Sequence, residues 1–207
     1  MATRREHDLL GELDIPADAY YGIQTFRGTQ NFKLTGKKLS DYPEFVMGLA
    51  IVKQGAAEAN GELGLMDAKL CKAIVKACEE IRSGKLIDQF PVDMIQGGAG
   101  TSTNMNANEV IANRALEVLG HKKGEYDFCH PNNHVNMAQS TNDAYPSGAK
   151  LGMVLINKKL IAEVKNLADA FRAKAKEMGN HIKIGRTQLQ DAVPLTYEQE
   201  FESYAVA

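Results

Sequence analysis

The feature that most constrains the fold is the segment from Asn142 to Gly179, which has the apolar periodicity of one long helix. Its apolar residues recur at Met153, Ile156, Leu160, Val164, Leu167, Phe171 and Met178. This heptad-like spacing is typical of a helix that packs along other helices. Asn142 is a good candidate for the N-cap, and Pro146 falls in the expected first turn, where proline is tolerated.

The length of this helix sets it apart from the rest of the chain. At 1.5 Å per residue it is about 54 Å long. A compact globule of this chain length is only about 43 Å across. We therefore expect the helix to project from its own domain and to pack against other long helices. The alternative is an isolated surface helix that breaks near residues 157–159.

Three further helices are indicated earlier in the chain. Pro43 begins an apolar-periodic stretch that stops near Gly61–Gly64. Asp67 is a good N-cap for the next helix. That helix has an apolar face made of Leu70, Ile74, Cys78 and Ile81. A third helix is predicted from about Asn106 to Leu119.

The remaining segments lack a helical pattern, and strand signals are nearly absent. Segments 1–40 and 121–141 are predicted to be irregular. Near the end of the chain, Thr196 and Gln199 have the spacing of a capping box that opens another helix. The sequence therefore predicts a mainly α protein. Residues 1–139 form an irregular and helical N-terminal domain, and residues 140–207 begin a bundle of long helices.

Composition excludes several classes of protein. The chain has 207 residues, 44% of them hydrophobic, which is enough for a core, and a formal net charge of −2. No basic patch indicates nucleic-acid or membrane-surface binding. No apolar run approaches the roughly 20 residues that span a bilayer. The N-terminal sequence MATRREHDLLGELD has no apolar segment of the secretory type.

The three cysteines favour a reduced, cytoplasmic protein. Cys71 and Cys78 are two turns apart on one predicted helix, roughly 10 Å, which is too far for a disulfide. Cys129 stands beside His130, with His134 nearby, and this cluster raises the question of a metal site. It lacks the paired spacing of metal ligands, so we predict no metal site there.

Three clusters of neutral polar residues stand at predicted helix ends. They are GGAGTSTN at 97–104, QSTND at 139–143 and GRTQLQD at 185–191. Taken separately, they read as a structural loop, a helix cap and a helix–helix connector. A nucleotide-phosphate loop is disfavoured because the G-K-[ST] ending is missing. Together the clusters predict a site that holds a small carboxylate through many neutral hydrogen bonds at helix ends.

The same clusters carry a resemblance to a known family. GGAGTSTNMNANEV, NNHVNMAQSTNDAYP and GRTQLQDAVP closely resemble motifs of the aspartase/fumarase superfamily, and the similarity extends over essentially the whole chain. Fumarases usually have G-S-G-T and S-S-N-D where this chain has GAGT and STND, and histidine where it has Gln188. These differences favour the ammonia-lyase branch. In fumarases the stretch that corresponds to position 133 lies near a secondary site that binds an acid. Because this chain has Asn133 where relatives usually have aspartate, we do not assign such a site to it.

The resemblance implies an elimination reaction and a set of substrate-binding residues. The reaction removes ammonia from L-aspartate to give fumarate, through a doubly negative aci-carboxylate intermediate that needs preorganised donors. The residues that match the family's substrate-binding positions are Thr101, Ser140, Thr141, Asn142, Thr187 and Gln188. The first three would donate to the intermediate. Asn142, with Thr101, would hold the amino group, and the last two would lie near the α-carboxylate.

The resemblance also indicates which catalytic group is missing from these 207 residues. The family's general base is a serine in a loop with the pattern G-S-S-x-M-P-x-K-x-N, and no such pattern occurs in the 207 residues. We therefore expect this chain to be the N-terminal part of a longer lyase, with no catalytic base of its own and no activity alone. The family assembles as homotetramers and no cofactor is implied; activation by a divalent metal ion cannot be read from the sequence. The alternatives are a fumarate hydratase, a related lyase, or a catalytically inactive structural homologue.

Overall fold

The computed structural model describes residues 2–207, so Met1, which the predicted N-terminal domain includes, lies outside the described residues. The chain is mainly α-helical, as predicted. Its strands and helices, in chain order, are β1 (Thr3–Asp8), β2 (Gly11–Pro16), α1 (Ile23–Asn31), α2 (Pro43–Glu62), α3 (Ala68–Arg82), α4 (Thr101–Val118), α5 (Thr141–Met178), β3 (Ile182–Thr187), β4 (Gln190–Thr196) and α6 (Tyr197–Val206). Short helical turns lie at Leu39–Asp41, Ile87–Gln89 and Pro131–Val135.

The chain divides into two compact units. The first ends at Leu155 and the second comprises Ile156–Ala207, so the division falls within α5. The predicted domain boundary between residues 139 and 140 stays a prediction. Among the described residues, no helix is long and apolar enough to cross a membrane.

Helix α2 begins and ends where the sequence predicts, and α3 begins where the sequence predicts. Pro43 is in the first turn of α2, where its missing N–H costs no hydrogen bond. Asp67 caps α3, because its carboxylate accepts hydrogen bonds from the N–H groups of Lys69 and Leu70 at 2.8 and 3.2 Å. The predicted apolar face of α3 is buried, and with α2 and α4 it forms the hydrophobic core of the first unit.

Helix α4 begins earlier than the predicted Asn106, at Thr101. Its first turn is capped by Gln96, whose Oε1 accepts the Thr103 N–H at 2.7 Å and whose Nε2 donates to the Thr103 hydroxyl at 2.8 Å. From Thr103 to Asn113 every residue of the helix is buried. A helix buried on all sides has no polar face, so the apolar periodicity that predicts its start is missing.

Segment 1–40 is not irregular, because it contains helix α1 and a β-hairpin. The N-terminus of α1 is capped by distant residues: Glu109 accepts three of its backbone N–H groups at 2.9 to 3.0 Å. Glu6 accepts a fourth, from Ile23, at 2.8 Å. No cap residue adjacent to α1 announces the helix, since both carboxylates come from other elements. Segment 121–141 is irregular, as predicted, except for the short helical turn Pro131–Val135 and Thr141, which begins α5.

The expectation that strands are nearly absent is wrong at both ends of the chain. Strands β1 and β2 pair antiparallel, with Thr3 opposite Pro16 and Asp8 opposite Gly11. The two-residue turn between them is Leu9–Leu10, which is not one of the Gly- or Asn-containing dipeptides that signal a hairpin. Strands β3 and β4 form the second hairpin, within the second unit.

Helix α5 is a single helix of 38 residues, which agrees with the predicted long helix. Its N-cap is Ser140 rather than the predicted Asn142: the Ser140 hydroxyl accepts the Asn142 N–H at 3.1 Å, and Asp143 accepts the Ser140 N–H at 3.1 Å. Because α5 begins at Thr141, Pro146 lies in the second turn and not in the first. The carbonyl of residue 142 therefore has no N–H partner one turn later.

The beginning of α5 packs tightly against α2 through glycines. A Cβ at Gly148 would lie 2.7 Å from Leu49 Cδ2, and one at Gly152 would lie 2.8 Å from Phe45 Cα. A Cβ at Gly48 would overlap the carbonyl oxygen of Gly148. The two helix backbones can come this close only because these positions have no side chain.

The second unit has its own set of contacts. Thr196 and Gln199 form the predicted capping box at the start of α6, with hydrogen bonds of 3.0 and 3.1 Å. Phe171 on α5 contacts the α6 rings of Phe201 and Tyr204, with centroid distances of 6.1 and 5.5 Å. Most of the apolar side chains of α5 in this unit are exposed.

Candidate functional site

The first polar cluster forms a loop with an unusual backbone. Gly98, Ala99 and Gly100 all have positive φ, at 77°, 52° and 91°. Gly100 stands directly before α4, and a Cβ there would overlap the ring of Tyr145. Ala99 holds a left-handed conformation that costs a non-glycine residue free energy. Such a strained turn at a helix N-terminus is typical of a binding loop.

The first and second polar clusters meet at one place, where the N-termini of α4 and α5 come together. The Asn104 amide in the first turn of α4 donates to the Thr141 hydroxyl, the first residue of α5, at 3.2 Å. A cleft of about 410 Å³ opens beside this contact. It is lined by uncharged residues: Met94, Ile95, Gln96, Ala99, Gly100, Asn142, Tyr145 and Pro146.

Two helix N-termini beside an uncharged cleft favour an anionic ligand. Each N-terminus carries a partial positive charge from the aligned peptide dipoles of its helix, and in α5 the Asp143 carboxylate lies in the same first turn. The polar side chains that line the cleft are two amides, Gln96 and Asn142, and the phenol of Tyr145; the lining has no ammonium or guanidinium group. The prediction that the first two clusters form a joint site at helix ends is therefore compatible with their positions, although the binding role of each residue stays a prediction.

The two threonines at this place have hydroxyls in different hydrogen-bonding states. Thr101 is exposed, and its Oγ1 donates to the Gly98 carbonyl at 2.6 Å, so its lone pairs remain available. Thr141 is half-buried, and its Oγ1 accepts from Asn104 at 3.2 Å, so its proton remains available. Thr101 is thus arranged as an acceptor and Thr141 as a donor; the predicted donation by Thr101 to the intermediate stays a prediction. Ser140 and Asn142 are exposed beside them.

The third polar cluster belongs to the second unit, and it is part of a hairpin rather than the helix–helix connector considered above. Thr187 is the last residue of β3, opposite Gln190, and Gln188 and Leu189 make the turn between them. Both turn residues have positive φ, at 50° and 62°. Thr187 and Gln188 are exposed at the tip of this hairpin. Their assignment to the substrate site remains a prediction.

A buried polar layer lies beneath Thr141, and sequence reasoning missed it as part of the site. Asn136 Oδ1 accepts from Lys53 Nζ at 2.8 Å, from Asn104 Nδ2 at 3.1 Å and from Asn108 Nδ2 at 3.3 Å. Lys53 has no exposed surface, and burial lowers the pKa of its ammonium to about 7. The signal in the sequence was the alternation NMNAN, which places several amides on a helix that enters the core.

The histidines near Cys129 serve as backbone acceptors. His130 Nδ1 accepts the N–H groups of Asn132 and Asn133 at 3.0 and 3.3 Å, and His134 Nδ1 accepts the His130 N–H at 2.8 Å. Burial lowers the pKa of both imidazoles, which favours the neutral rings that accept these bonds. Burial raises the pKa of the Cys129 thiol to about 12. These atoms are engaged in the local fold.

Comparison with known families places this helical fold in a class of lyases. The profile of a family described as "Lyase" matches residues 11–207. The chain belongs to this lyase family.

The individual relatives are more specific. The chain is 60% identical to the aspartate ammonia-lyase of Helicobacter pylori over 98% of its own length and 43% of the relative's. It superposes with a TM-score of 0.93 on a fumarate lyase:delta crystallin protein from Brucella melitensis, at 54% identity, covering 99% of this chain and 45% of that one. A class II fumarase from Schistosoma mansoni gives a TM-score of 0.87 at 37% identity, covering 99% and 43%.

The match to these proteins covers only part of each. The chain spans less than half the length of the relatives to which it is similar, although nearly all of the chain takes part in each match. The identity to the ammonia-lyase is clearly higher than the identity to the fumarase, 60% against 37%. This order agrees with the sequence motifs, which favour the ammonia-lyase branch over fumarases.

Proposed function

We propose that the longer protein represented by this chain converts L-aspartate to fumarate and ammonia. The observation that carries the proposal is the meeting of two helix N-termini, each of which begins with a threonine, beside an uncharged cleft. The lining of this cleft has no lysine or arginine, so a carboxylate bound there would be held by neutral donors and helix ends. The 60% identity to an aspartate ammonia-lyase supplies the substrate and the reaction type.

In this proposal, some groups of the first unit bind the carboxylate that becomes the aci-carboxylate, and others bind the ammonium group of the substrate. A proton leaves the carbon next to the β-carboxylate, and the resulting aci-carboxylate is stabilised by hydrogen-bond donors already in position. The hydroxyls of Thr141 and Ser140 supply these donors. Thr101, whose lone pairs are free, accepts from the ammonium of the substrate together with Asn142.

The groups of the second unit and the rest of the protein complete the reaction. Thr187 and Gln188 contact the α-carboxylate and the leaving group. The general base is a serine outside these 207 residues, since the family's serine-loop pattern is absent from the sequence. We further propose that the full-length protein is a cytoplasmic homotetramer whose α5 helices pack together, and that the 207-residue chain alone is inactive.

The test is an assay of the full-length protein with L-aspartate, and separately with L-malate, in which fumarate is followed by its ultraviolet absorbance. We expect turnover of aspartate. Removing one donor to the developing charge, by Thr141→Ala, is expected to lower kcat by about 10²- to 10³-fold. Thr29→Ala is the matched control, since the Thr29 hydroxyl donates to the Phe26 carbonyl within α1, in a separate helix.

Each other outcome would contradict a defined part of the proposal. Turnover of malate in place of aspartate would identify a fumarase. Absence of turnover of either substrate by the full-length protein would favour an inactive homologue. Full activity of Thr141→Ala would exclude the assigned role of that hydroxyl. Turnover by the 207-residue chain would show that the base lies within it.

A further inference from the structure

Beneath the candidate site, three side chains converge on a single oxygen atom. Asn136 Oδ1 accepts from Lys53 Nζ at 2.8 Å, Asn104 Nδ2 at 3.1 Å and Asn108 Nδ2 at 3.3 Å. Lys53 is completely buried, and its cation lacks a carboxylate partner within ion-pair distance in residues 2–207. Burying a lysine against neutral amides costs free energy, so the position of Lys53 beside the site calls for an explanation.

The directions of the hydrogen bonds in this layer follow from one group that has a single role, the Gln139 backbone carbonyl. The Asn136 Nδ2 donates to the Gln139 backbone carbonyl at 3.1 Å, and a carbonyl can only accept. The NH₂ group of Asn136 is therefore the one that faces this carbonyl, and the atom that faces Lys53 Nζ is the oxygen, whether the amine is charged or neutral. The Asn104 atom that meets this oxygen must therefore be its NH₂ group and not its carbonyl.

This order of donors and acceptors extends to Thr141. The Asn104 NH₂ group has two hydrogens: one goes to Asn136 and the other to Thr141 Oγ1, at 3.2 Å. The threonine oxygen accepts this hydrogen, so its own proton must point elsewhere. On the other helix, Thr101 has no such donor and gives its proton to the Gly98 carbonyl at 2.6 Å. The neighbours of each hydroxyl thus set whether it donates or accepts.

We propose that Lys53, Asn136 and Asn104 are positioning residues that hold the Thr141 hydroxyl as a hydrogen-bond donor to a carboxylate oxygen of the substrate. This inference rests on the proposed function, because it takes the anion at the α5 N-terminus to be the substrate. Lys53 acts at the far end of the chain of hydrogen bonds by orienting Asn136. Asn104 acts directly on the hydroxyl.

The layer fixes the orientation of the Asn104 amide, but it leaves two of its own carbonyl oxygens without hydrogen bonds. The carbonyl oxygens of Asn104 and Asn108 are buried, and each lacks a hydrogen-bond partner among the described residues. A polar layer selected for stability alone would satisfy these atoms or replace them by apolar groups. The arrangement is explained if the NH₂ group of Asn104 is needed on the side that faces Thr141.

The test uses the full-length protein and a pair of matched variants on α4. Asn104→Leu removes the donor to Thr141. Asn106→Leu is the control: Asn106 is buried on the same helix and also leaves its oxygen unpartnered, but its NH₂ group donates to the Gln89 carbonyl, at 2.9 Å. We expect Asn104→Leu to lower kcat/KM for aspartate by about 10- to 100-fold, as loss of an orienting partner does. The control should change it less than about threefold.

A double-mutant cycle with Thr141→Ala separates positioning from general loss of structure. If Asn104 acts through the Thr141 hydroxyl, Asn104→Leu should have little further effect once that hydroxyl is gone. Equal losses in the presence and absence of the hydroxyl would overturn the inference. If Asn104→Leu does not fold, the near-isosteric Asn104→Asp replaces it. Its carboxylate would accept the Thr141 proton, and the same loss of kcat/KM and the same dependence on Thr141 are expected.

Failure of the proposed function gives a different result. If the unmodified full-length protein does not release fumarate from aspartate, the proposed function fails and this inference falls with it. If the unmodified protein is active and Thr141→Ala is not impaired, the assigned role of the hydroxyl fails and so does its positioning. If both are as proposed but Asn104→Leu behaves like Asn106→Leu, only the positioning role is refuted.

Discussion

At the scale of single residues, the chemical type of a side chain does not decide its role in this site; its hydrogen-bond partners do. Thr101 and Thr141 are each the first residue of a helix. The Thr101 hydroxyl donates a hydrogen bond to a backbone carbonyl, whereas the Thr141 hydroxyl accepts one from a side-chain amide. A sequence motif shows that a hydroxyl is present. It does not show which way the hydroxyl points, because Gly98 is local to Thr101 whereas Asn104 reaches Thr141 from another helix.

Lys53 is the residue whose charge has the clearest consequence for stability. Burial lowers the pKa of its ammonium to about 7, against an ordinary 10.5, and the Cys78 thiol that faces it from α3 has a pKa raised by burial, so it stays neutral. Between about pH 7 and 10.5 the unfolded chain holds a proton on this lysine that the folded protein does not. Stability therefore rises with pH across this window, and below pH 7 the cost of the buried charge is constant.

We predict that Lys53→Met makes the full-length protein more stable at pH 7 and less active. Methionine fills a similar volume without a charge, so the free energy of unfolding should increase by a few kcal/mol, less the loss of one hydrogen bond. The gain should shrink toward pH 10, as measured by urea unfolding at several pH values. A gain that is the same at pH 7 and pH 10, or a loss of stability at pH 7, would contradict the depressed pKa.

At the scale of elements, the sequence predicts those helices whose signals are local. Pro43 lies in the first turn of α2, and Asp67 caps the first turn of α3. An apolar face identifies each helix. Helix α1 was missed because Glu109 and Glu6 cap it from distant positions. The two hairpins were missed because their turns, at Leu9–Leu10 and Gln188–Leu189, have no glycine or asparagine.

The candidate site was predictable in outline and not in depth. Its exposed hydroxyls and amides stand in three compact clusters that the sequence displays directly. The buried layer beneath them joins Lys53 to Asn136 over 83 positions, and an isolated lysine on a helix is normally read as a surface residue. Tertiary packing, which brings α2, α4 and the turn before α5 together, supplies the part that local patterns do not contain.

The contact between α2 and α5 gives a prediction with a control on the same helix. Gly48→Ala places a methyl group against the Gly148 carbonyl of α5 and should destabilise the full-length protein by about 2 kcal/mol or more. Gly55→Ala, also on α2, places its methyl group in open space, with no atom within 4 Å. It should stabilise the helix by about 0.5–1 kcal/mol. The melting temperatures of both variants, measured by thermal unfolding, test this prediction. Equal shifts in melting temperature would show that the backbones of α2 and α5 are not in close contact.

At the scale of the whole molecule, the exposed apolar residues of the second unit need a partner. Leu160, Val164 and Leu167 recur along α5 and are 56%, 57% and 57% exposed, and Ile161 is 60% exposed. Single exposed apolar residues are common, but a continuous row of them on one helix marks an interface. The spacing is that of helices packed in a bundle, in agreement with the proposed homotetramer.

The tetramer proposal predicts that a charge on this row prevents assembly. Leu160→Glu in the full-length protein would bury an unpaired carboxylate between helices, so we expect dimers or monomers by light scattering, and loss of aspartate turnover if the site needs several subunits. Lys158→Glu adds a carboxylate to the polar side of α5 and should leave the tetramer intact. A Leu160→Glu protein that remains tetrameric would show that this row faces another partner. Loss of assembly in both variants would show instead that added negative charge, and not its position, disrupts the bundle.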